Sequence, residues 1–308
     1  MTMRKRQAHD VAVIGGGIAG LTAAWHAAQT GMSVVLVEAS PLFGGQVATL
    51  DRVDGFPSIA PVSGHGLAAS LLEATVQAGV TLVEADVIAI EQEGALRRVV
   101  TEAGAHRCRA VVVASGCRRR LLNVPHEASW AGRGLSHCVA CDGGFYRGRD
   151  VLVVGGGDAA FQAAAALADI CREVAVVVRG NARARRSLVD RATGKANLRF
   201  IWGMEVDALL GDDGLSGVRL RDCSSGRLEE VACRGVFPLI GGIPNSAFLP
   251  MDVARTDTGH VRANDGFATT SPGIWAIGAV RDGYCGELAA AAGEAAAVIK
   301  AIAPRFRD

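Results

Sequence analysis

The sequence predicts an α/β protein of two parallel-sheet units, the second inserted into the first. Three observations predict it. Residues 11–38 read as an apolar strand, a glycine turn, a helix of small residues and a second apolar strand. The same order returns over residues 151–179, and near the end of the chain a short apolar strand stops at Gly278 and precedes an Ala-rich stretch. An all-apolar run of four or five residues suits a strand covered on both faces, as in a parallel sheet flanked by helices.

Length and composition fit that class. The chain has 308 residues, half of them apolar, enough for one large domain or two ordinary ones. A formal charge of +1 gives no electrostatic reason to expect nucleic acid or an anionic membrane as partner. The 39 glycines, against few Tyr and Phe, favour tight strand-to-helix turns over stacking surfaces. Residues 1–10 are basic and lead directly into the first strand, without the apolar stretch or cleavage site of a signal peptide. No segment reads as a bilayer span. The expected location is the cytoplasm, where the eight cysteines should mostly be thiols. A C-x-x-C there is catalytic or metal-binding rather than a structural staple.

The first strand, Val11-Ala-Val-Ile14, runs into Gly15-Gly-Gly17-Ile-Ala-Gly20, which satisfies G-x-G-x-x-G between strand and helix. Gly15 allows the tight turn, Gly17 lets backbone approach a pyrophosphate, and Gly20 lets helix and strand pack closely. The pyrophosphate would sit at the positive end of the helix. Glu38, at the tip of the next strand, is placed to accept from a ribose diol. The second unit carries Gly155, Gly157 and Ala160, a variant of the same loop. Its second strand ends at Val178-Arg179, with Arg183, Arg185 and Arg186 following and no acid at the tip. Arginine attracts a 2′-phosphate, which favours NADP over NAD; the competing reading is a solvated basic loop. Two such Rossmann-like units imply two nucleotide-binding domains, expected at 1–118 with 241–308 and at 119–240. The stretch 269–278 and a helix over 287–302 should return to the first sheet.

Cys138-Val-Ala-Cys141 precedes the second unit, followed by Asp142-Gly-Gly. Such a pair can close a small-ring disulfide, and one of its thiols commonly has a lowered pKa and attacks other disulfides. Asp142 could give or take the proton. Half a zinc site would need a second ligand pair, and the remaining cysteines are scattered singly. His137 reads as an ordinary half-buried or surface histidine. Cys285 is expected to be an inert buried thiol.

These motifs resemble the low-molecular-weight, bacterial-type thioredoxin reductases, a class of pyridine nucleotide-disulfide oxidoreductase. The match runs nearly the whole chain: Gly15-Gly-Gly-Ile-Ala-Gly20, Gly44-Gly-Gln46, Phe56-Pro57, Ala114-Ser-Gly116, Cys138-Val-Ala-Cys-Asp-Gly143, Gly155-Gly-Gly-Asp-Ala-Ala160, Pro244-Asn245 and Ser271-Pro-Gly-Ile-Trp-Ala-Ile-Gly278. The resemblance implies FAD on the first unit, with Gly45, Gln46, Gly116 and Gly278 joining Gly15, Gly17, Gly20 and Glu38. It implies NADPH, with NADH as the other candidate, on Gly155, Gly157, Ala160, Arg179 and Arg183. It gives Cys138, Cys141 and Asp142 the catalytic roles, a thioredoxin-like protein or small disulfide as substrate, and a homodimer.

The sequence also departs from the family. The usual Gly-Asp near the C-terminus is Gly278-Ala279, the Arg-Gln pair near the flavin is Gly286-Glu287, the Asn before Phe-Pro is Gly55, and the His-Arg-Arg run is Val178-Arg179-Gly180. Two other functions therefore compete with disulfide reduction. One is an oxygen-dependent oxidase that closes a disulfide in a small dithiol, and the other is a flavin-bound redox sensor or binding protein with little turnover.

Overall fold

The computed structural model describes residues 8–50, 53 and 62–306, apart from the side chains of Ala140 and Cys141. Gly55 and Phe56-Pro57 lie outside the described residues. The chain forms two compact units, Met1–Arg118 with Ile243–Asp308, and Arg119–Gly242. The second junction falls two residues beyond the 240/241 break read from the sequence.

The first unit begins with β1 (His9–Ile14), α1 (Ile18–Gln29), β2 (Val34–Glu38), α2 (Gly64–Gln77) and β3 (Thr81–Glu84). A meander follows: β4 (Val87–Glu93), β5 (Leu96–Thr101) and β6 (Gly104–Val113). The sheet order is β3-β2-β1-β6-β5-β4, parallel from β3 to β6 and antiparallel through β5 and β4. Val11, Val13, Leu36 and Val112 face one side, while Ala12, Ile14, Val35, Val37, Val111 and Val113 face the other. Both faces are covered, which is why these strands carry no polar alternation. The small residues Ala23, Ala24 and Ala27 of α1 are fully buried and let the helix lie close to the sheet.

The strand β7 (Cys117–Arg119) leads into the second unit, whose first helix is the single turn α3 (Val139–Asp142). Then come β8 (Asp150–Val154), α4 (Asp158–Ala168), β9 (Glu173–Val178), α5 (Arg186–Thr193) and β10 (Leu198–Trp202). The strands β11 (Met204–Leu210), β12 (Gly217–Asp222) and β13 (Leu228–Ala232) form an antiparallel sheet, and β14 (Gly235–Pro238) completes a parallel one ordered β10-β9-β8-β14. The chain returns through β15 (Gly242–Pro244), which pairs with β7. It ends in β16 (Ile274–Ala276), parallel to the second half of β6, and α6 (Leu288–Ile302). Strand and helix thus rejoin the first sheet, as read from the sequence. Among the described residues no helix is long and apolar enough to cross a membrane.

Candidate active site

In the first unit the glycine loop is shaped by backbone packing. Gly15 has φ +106°, and a Cβ there would stand 2.4 Å from the Ala114 carbonyl oxygen. A Cβ on Gly20 would stand 1.8 Å from the Gly15 carbonyl oxygen, so helix and loop touch where only hydrogen fits. Gly17 is different: its φ of −74° suits any residue, and the nearest atom to a Cβ is the Gly45 Cα at 4.0 Å. The open space in front of Gly17 faces α1, whose N-terminus has neither a side-chain cap nor an acid in its first turn. Unpaired N–H groups and the helix dipole make that space a cradle for an anion such as a pyrophosphate.

Other segments converge on this loop. Gly17 bridges to Gly44, and Gly45 turns at φ +56° beside Gly17. The Gln46 amide donates to the Cys117 carbonyl (2.8 Å). Gly116 turns at φ +63°, and Asn245 clasps this stretch: its N–H donates to Gly116, its amide to the Ser115 carbonyl (2.9 Å), and Ser115 Oγ donates back to the Asn245 carbonyl (2.6 Å). The Glu38 carboxylate accepts from Gly16 N–H and from Ser40 N–H (2.9 Å), which leaves acceptor capacity at the tip of β2. Gly278 turns at φ +68° with a Cβ position 3.1 Å from Ala19.

Glu294 is a residue the sequence reading missed. Its carboxylate accepts from Gly278 N–H (2.7 Å) and pairs with Arg281, both side chains being largely buried. It therefore orients the turn that carries Ala279. The signal available was an acid inside the apolar, Ala-rich α6. Cys117 Sγ donates to the Ala279 carbonyl (2.9 Å), and burial pushes its thiol pKa up.

In the second unit Gly155 has φ +146°, and its Cβ would stand 2.3 Å from the Leu239 carbonyl oxygen, whereas Gly157 faces open space. Ala160 is fully buried, with its Cβ 3.0 Å from the Cβ position of Gly155. The basic loop folds back on these glycines through Arg183 N–H donating to the Gly156 carbonyl (2.7 Å). Asp158, in the first turn of α4, is drawn aside by Arg185, which donates to it from backbone N–H and Nε, both at 2.7 Å. Arg186 pairs with Asp190. Arg179 and Arg183 are exposed, and neither guanidinium has a hydrogen bond or ion pair among the described residues. Of the four arginines, these two remain available to a phosphate.

Cys138 is disulfide-bonded, while the Cys141 side chain lies outside the described residues. The chain enters α3 through Ser136, a second residue the sequence reading missed. This buried hydroxyl donates to Asp142 Oδ2 (2.6 Å) and accepts from Cys138 N–H (3.1 Å). Asp142 N–H donates to the Cys138 carbonyl (3.0 Å), which closes the single helical turn. Serine ahead of a short helix is a turn-forming residue type, and that was its signal. His137 is half-buried, with Nδ1 3.3 Å from the Pro238 carbonyl oxygen, as an ordinary half-buried histidine would be. Cys285 departs from expectation: it is exposed, between the left-handed turns at Gly283 and Gly286. Among the described residues no group of His, Cys, Asp or Glu could hold a metal ion.

Comparison with known proteins agrees with this geometry. Residues 9–296 match the family model for pyridine nucleotide-disulphide oxidoreductases. The chain is 32% identical to a thioredoxin reductase of Treponema pallidum over 275 residues, 89% of each chain. It is 34% identical to that of Mycolicibacterium smegmatis over 292 residues, 94% of each. The solved thioredoxin reductase of Lactococcus lactis superposes with a TM-score of 0.87 at 30% identity, covering 96% of this chain and 98% of that one. With both glycine loops, the disulfide-bonded Cys138 and these likenesses along its length, the chain belongs to the pyridine nucleotide-disulphide oxidoreductases and, within them, to the low-molecular-weight thioredoxin reductase-like enzymes.

Proposed function

We propose that the chain passes electrons from NADPH through FAD to a Cys138–Cys141 disulfide and on to the disulfide of a thioredoxin-like protein. The observation that carries this reading is the pairing, on one chain, of two open helix N-termini with a disulfide whose backbone is held by Ser136 and Asp142. Gly15, Gly17, Gly20, Gly45, Gln46, Gly116 and Gly278 would cradle FAD, with Glu38 accepting from its ribose. Gly155, Gly157 and Ala160 would receive NADPH, with Arg179 and Arg183 on its 2′-phosphate. Arg179 at the tip of β9 and Arg183 beyond it, unpaired among the described residues, favour NADPH over NADH.

Bound FAD supplies the two-electron carrier between nicotinamide and disulfide. The remaining work belongs to side chains of the second unit. Reduction of the disulfide takes two electrons and two protons and releases two thiols. Asp142 stands one residue beyond Cys141, and its carboxylate is oriented by the Ser136 hydroxyl, so it is the group that takes and returns a proton. One freed thiolate then attacks the partner's disulfide sulfur, the other closes the mixed disulfide, and the partner leaves with both electrons.

Mixing the protein anaerobically with NADPH, then NADH, tests the reading. Rapid flavin bleaching by NADPH is expected, and no bleaching by either nucleotide would exclude it. A Cys138→Ser variant should bleach normally and lose thioredoxin-coupled turnover; unchanged turnover would remove the disulfide from the pathway.

A further inference from the structure

β6 changes partner partway along its length. Cys108 pairs with Arg97 of β5, and Val111 is the first residue paired with β16. Between them the sheet opens at Arg109, beside a cavity of about 580 Å3 lined by Arg97, Arg109, Arg305 and Asp252, with Pro250 and Pro272 as apolar wall. Arg109 is four residues, roughly 13 Å of strand, from the Val113 end of β6. Val113 is level with Ile14, where the Gly15 loop begins, so the cavity is separate from the nucleotide cradle of the same unit.

The three guanidiniums are already held in place. Arg97 is only 7% exposed and donates from Nε to the Pro272 carbonyl (3.1 Å) and from Nη2 to Ser271 Oγ (3.0 Å). Arg109 lies 4.5 Å over the Phe306 ring and donates to the Arg305 carbonyl (3.2 Å). Arg305 lies 4.9 Å over the Trp275 ring. Among the described residues the nearby carboxylates are Asp252 in the lining and Asp10, 3.6 Å from Arg109, so among those residues positive charge is in excess. Arg97 has no carboxylate partner among the described residues, and its Nη1 has no hydrogen bond there. A buried cation ordinarily has a counter-ion, and none of the described side chains supplies one.

We propose that this cavity binds a small organic phosphate through Arg97, Arg109 and Arg305. The guanidinium donors not engaged by protein, Arg97 Nη1 among them, can reach phosphate oxygens as charge-assisted hydrogen bonds, and ring stacking removes much of the ordering cost of Arg109 and Arg305. The volume exceeds that of a bare ion and suits a phosphate ester whose hydroxyls Asp252 can accept and whose carbon skeleton lies on the prolines.

The test is calorimetric titration of the FAD-loaded protein with inorganic pyrophosphate and, separately, with citrate. Three proteins are compared: wild type, Arg109→Gln/Arg305→Gln, and Arg179→Gln/Arg183→Gln. Both double variants change exposed residues, thermal melts confirm that each folds, and Arg109 and Arg305 touch no part of the redox site. Saturable pyrophosphate binding, weakened at least tenfold in the first double variant and kept in the second, is expected. Pyrophosphate binding lost only in the Arg179/Arg183 variant, or absent from wild type, would overturn the proposal. Citrate bound more tightly than pyrophosphate at the arginine cavity would overturn the phosphate assignment.

Discussion

Gly17→Ala separates folding from cofactor binding. A Cβ at Gly17 meets no atom closer than 4.0 Å, and the φ of −74° is one that alanine adopts freely. The apoprotein should therefore fold normally and gain about 0.4–1 kcal/mol through a less flexible unfolded chain. The methyl group occupies the space in front of the α1 N-terminus. A backbone N–H bonded to a charged phosphate oxygen is worth about 1.5–3 kcal/mol, so displacing the pyrophosphate by one such bond weakens FAD roughly 10- to 150-fold. Gly20→Ala is the control: its Cβ would stand 1.8 Å from a backbone oxygen, and the fold itself should fail. Thermal melts of the apoproteins and fluorescence titration with FAD read the two effects separately. Wild-type FAD affinity in Gly17→Ala would refute the cradle, and a melting point well below wild type would refute the packing argument.

Three further outcomes follow from the geometry. Arg179→Ala/Arg183→Ala should raise the KM for NADPH roughly tenfold and leave the KM for NADH unchanged, since surface arginine–phosphate pairs of this kind contribute on the order of 1–2 kcal/mol together; equal effects on both nucleotides would contradict the 2′-phosphate role. Ser136→Ala removes a hydroxyl bond to Asp142 and the acceptor for Cys138 N–H. Disulfide-coupled turnover should fall about tenfold while flavin bleaching by NADPH keeps its rate, as expected for the loss of one bond to a charged group. Alkylation of the oxidised protein at pH 8 should label the exposed Cys223 and Cys285. It should spare Cys108 and Cys233, whose thiols burial pushes up to about 12, and Cys171, pushed up to about 11. Reduction beforehand should add both thiols of the proposed pair, Cys138 and Cys141, and mass spectrometry of the labelled peptides checks each site.

The sequence by itself determined the two strand–glycine–helix units, the return of the C-terminal strand and helix, and the family. These follow from local constraints. A strand buried on both faces must be apolar throughout, and Gly15, Gly20 and Gly155 stand where a Cβ would strike backbone. Tertiary structure alone decided which charged groups are free and which are spent. Arg179, Arg183, Arg185 and Arg186 read alike in sequence, but Asp158 and Asp190 engage the last two. Ser136 reaches Asp142 across six residues, and Glu294 reaches Gly278 from another element. Cys285 is exposed, in the loop that precedes the Ala-rich α6. The three arginines of the cavity come from residues 97, 109 and 305 and meet only because β6 exchanges one partner strand for another. Hydrogen bonds and ion pairs depend on side-chain direction and on partners distant in sequence, and neither leaves a periodic trace in the chain.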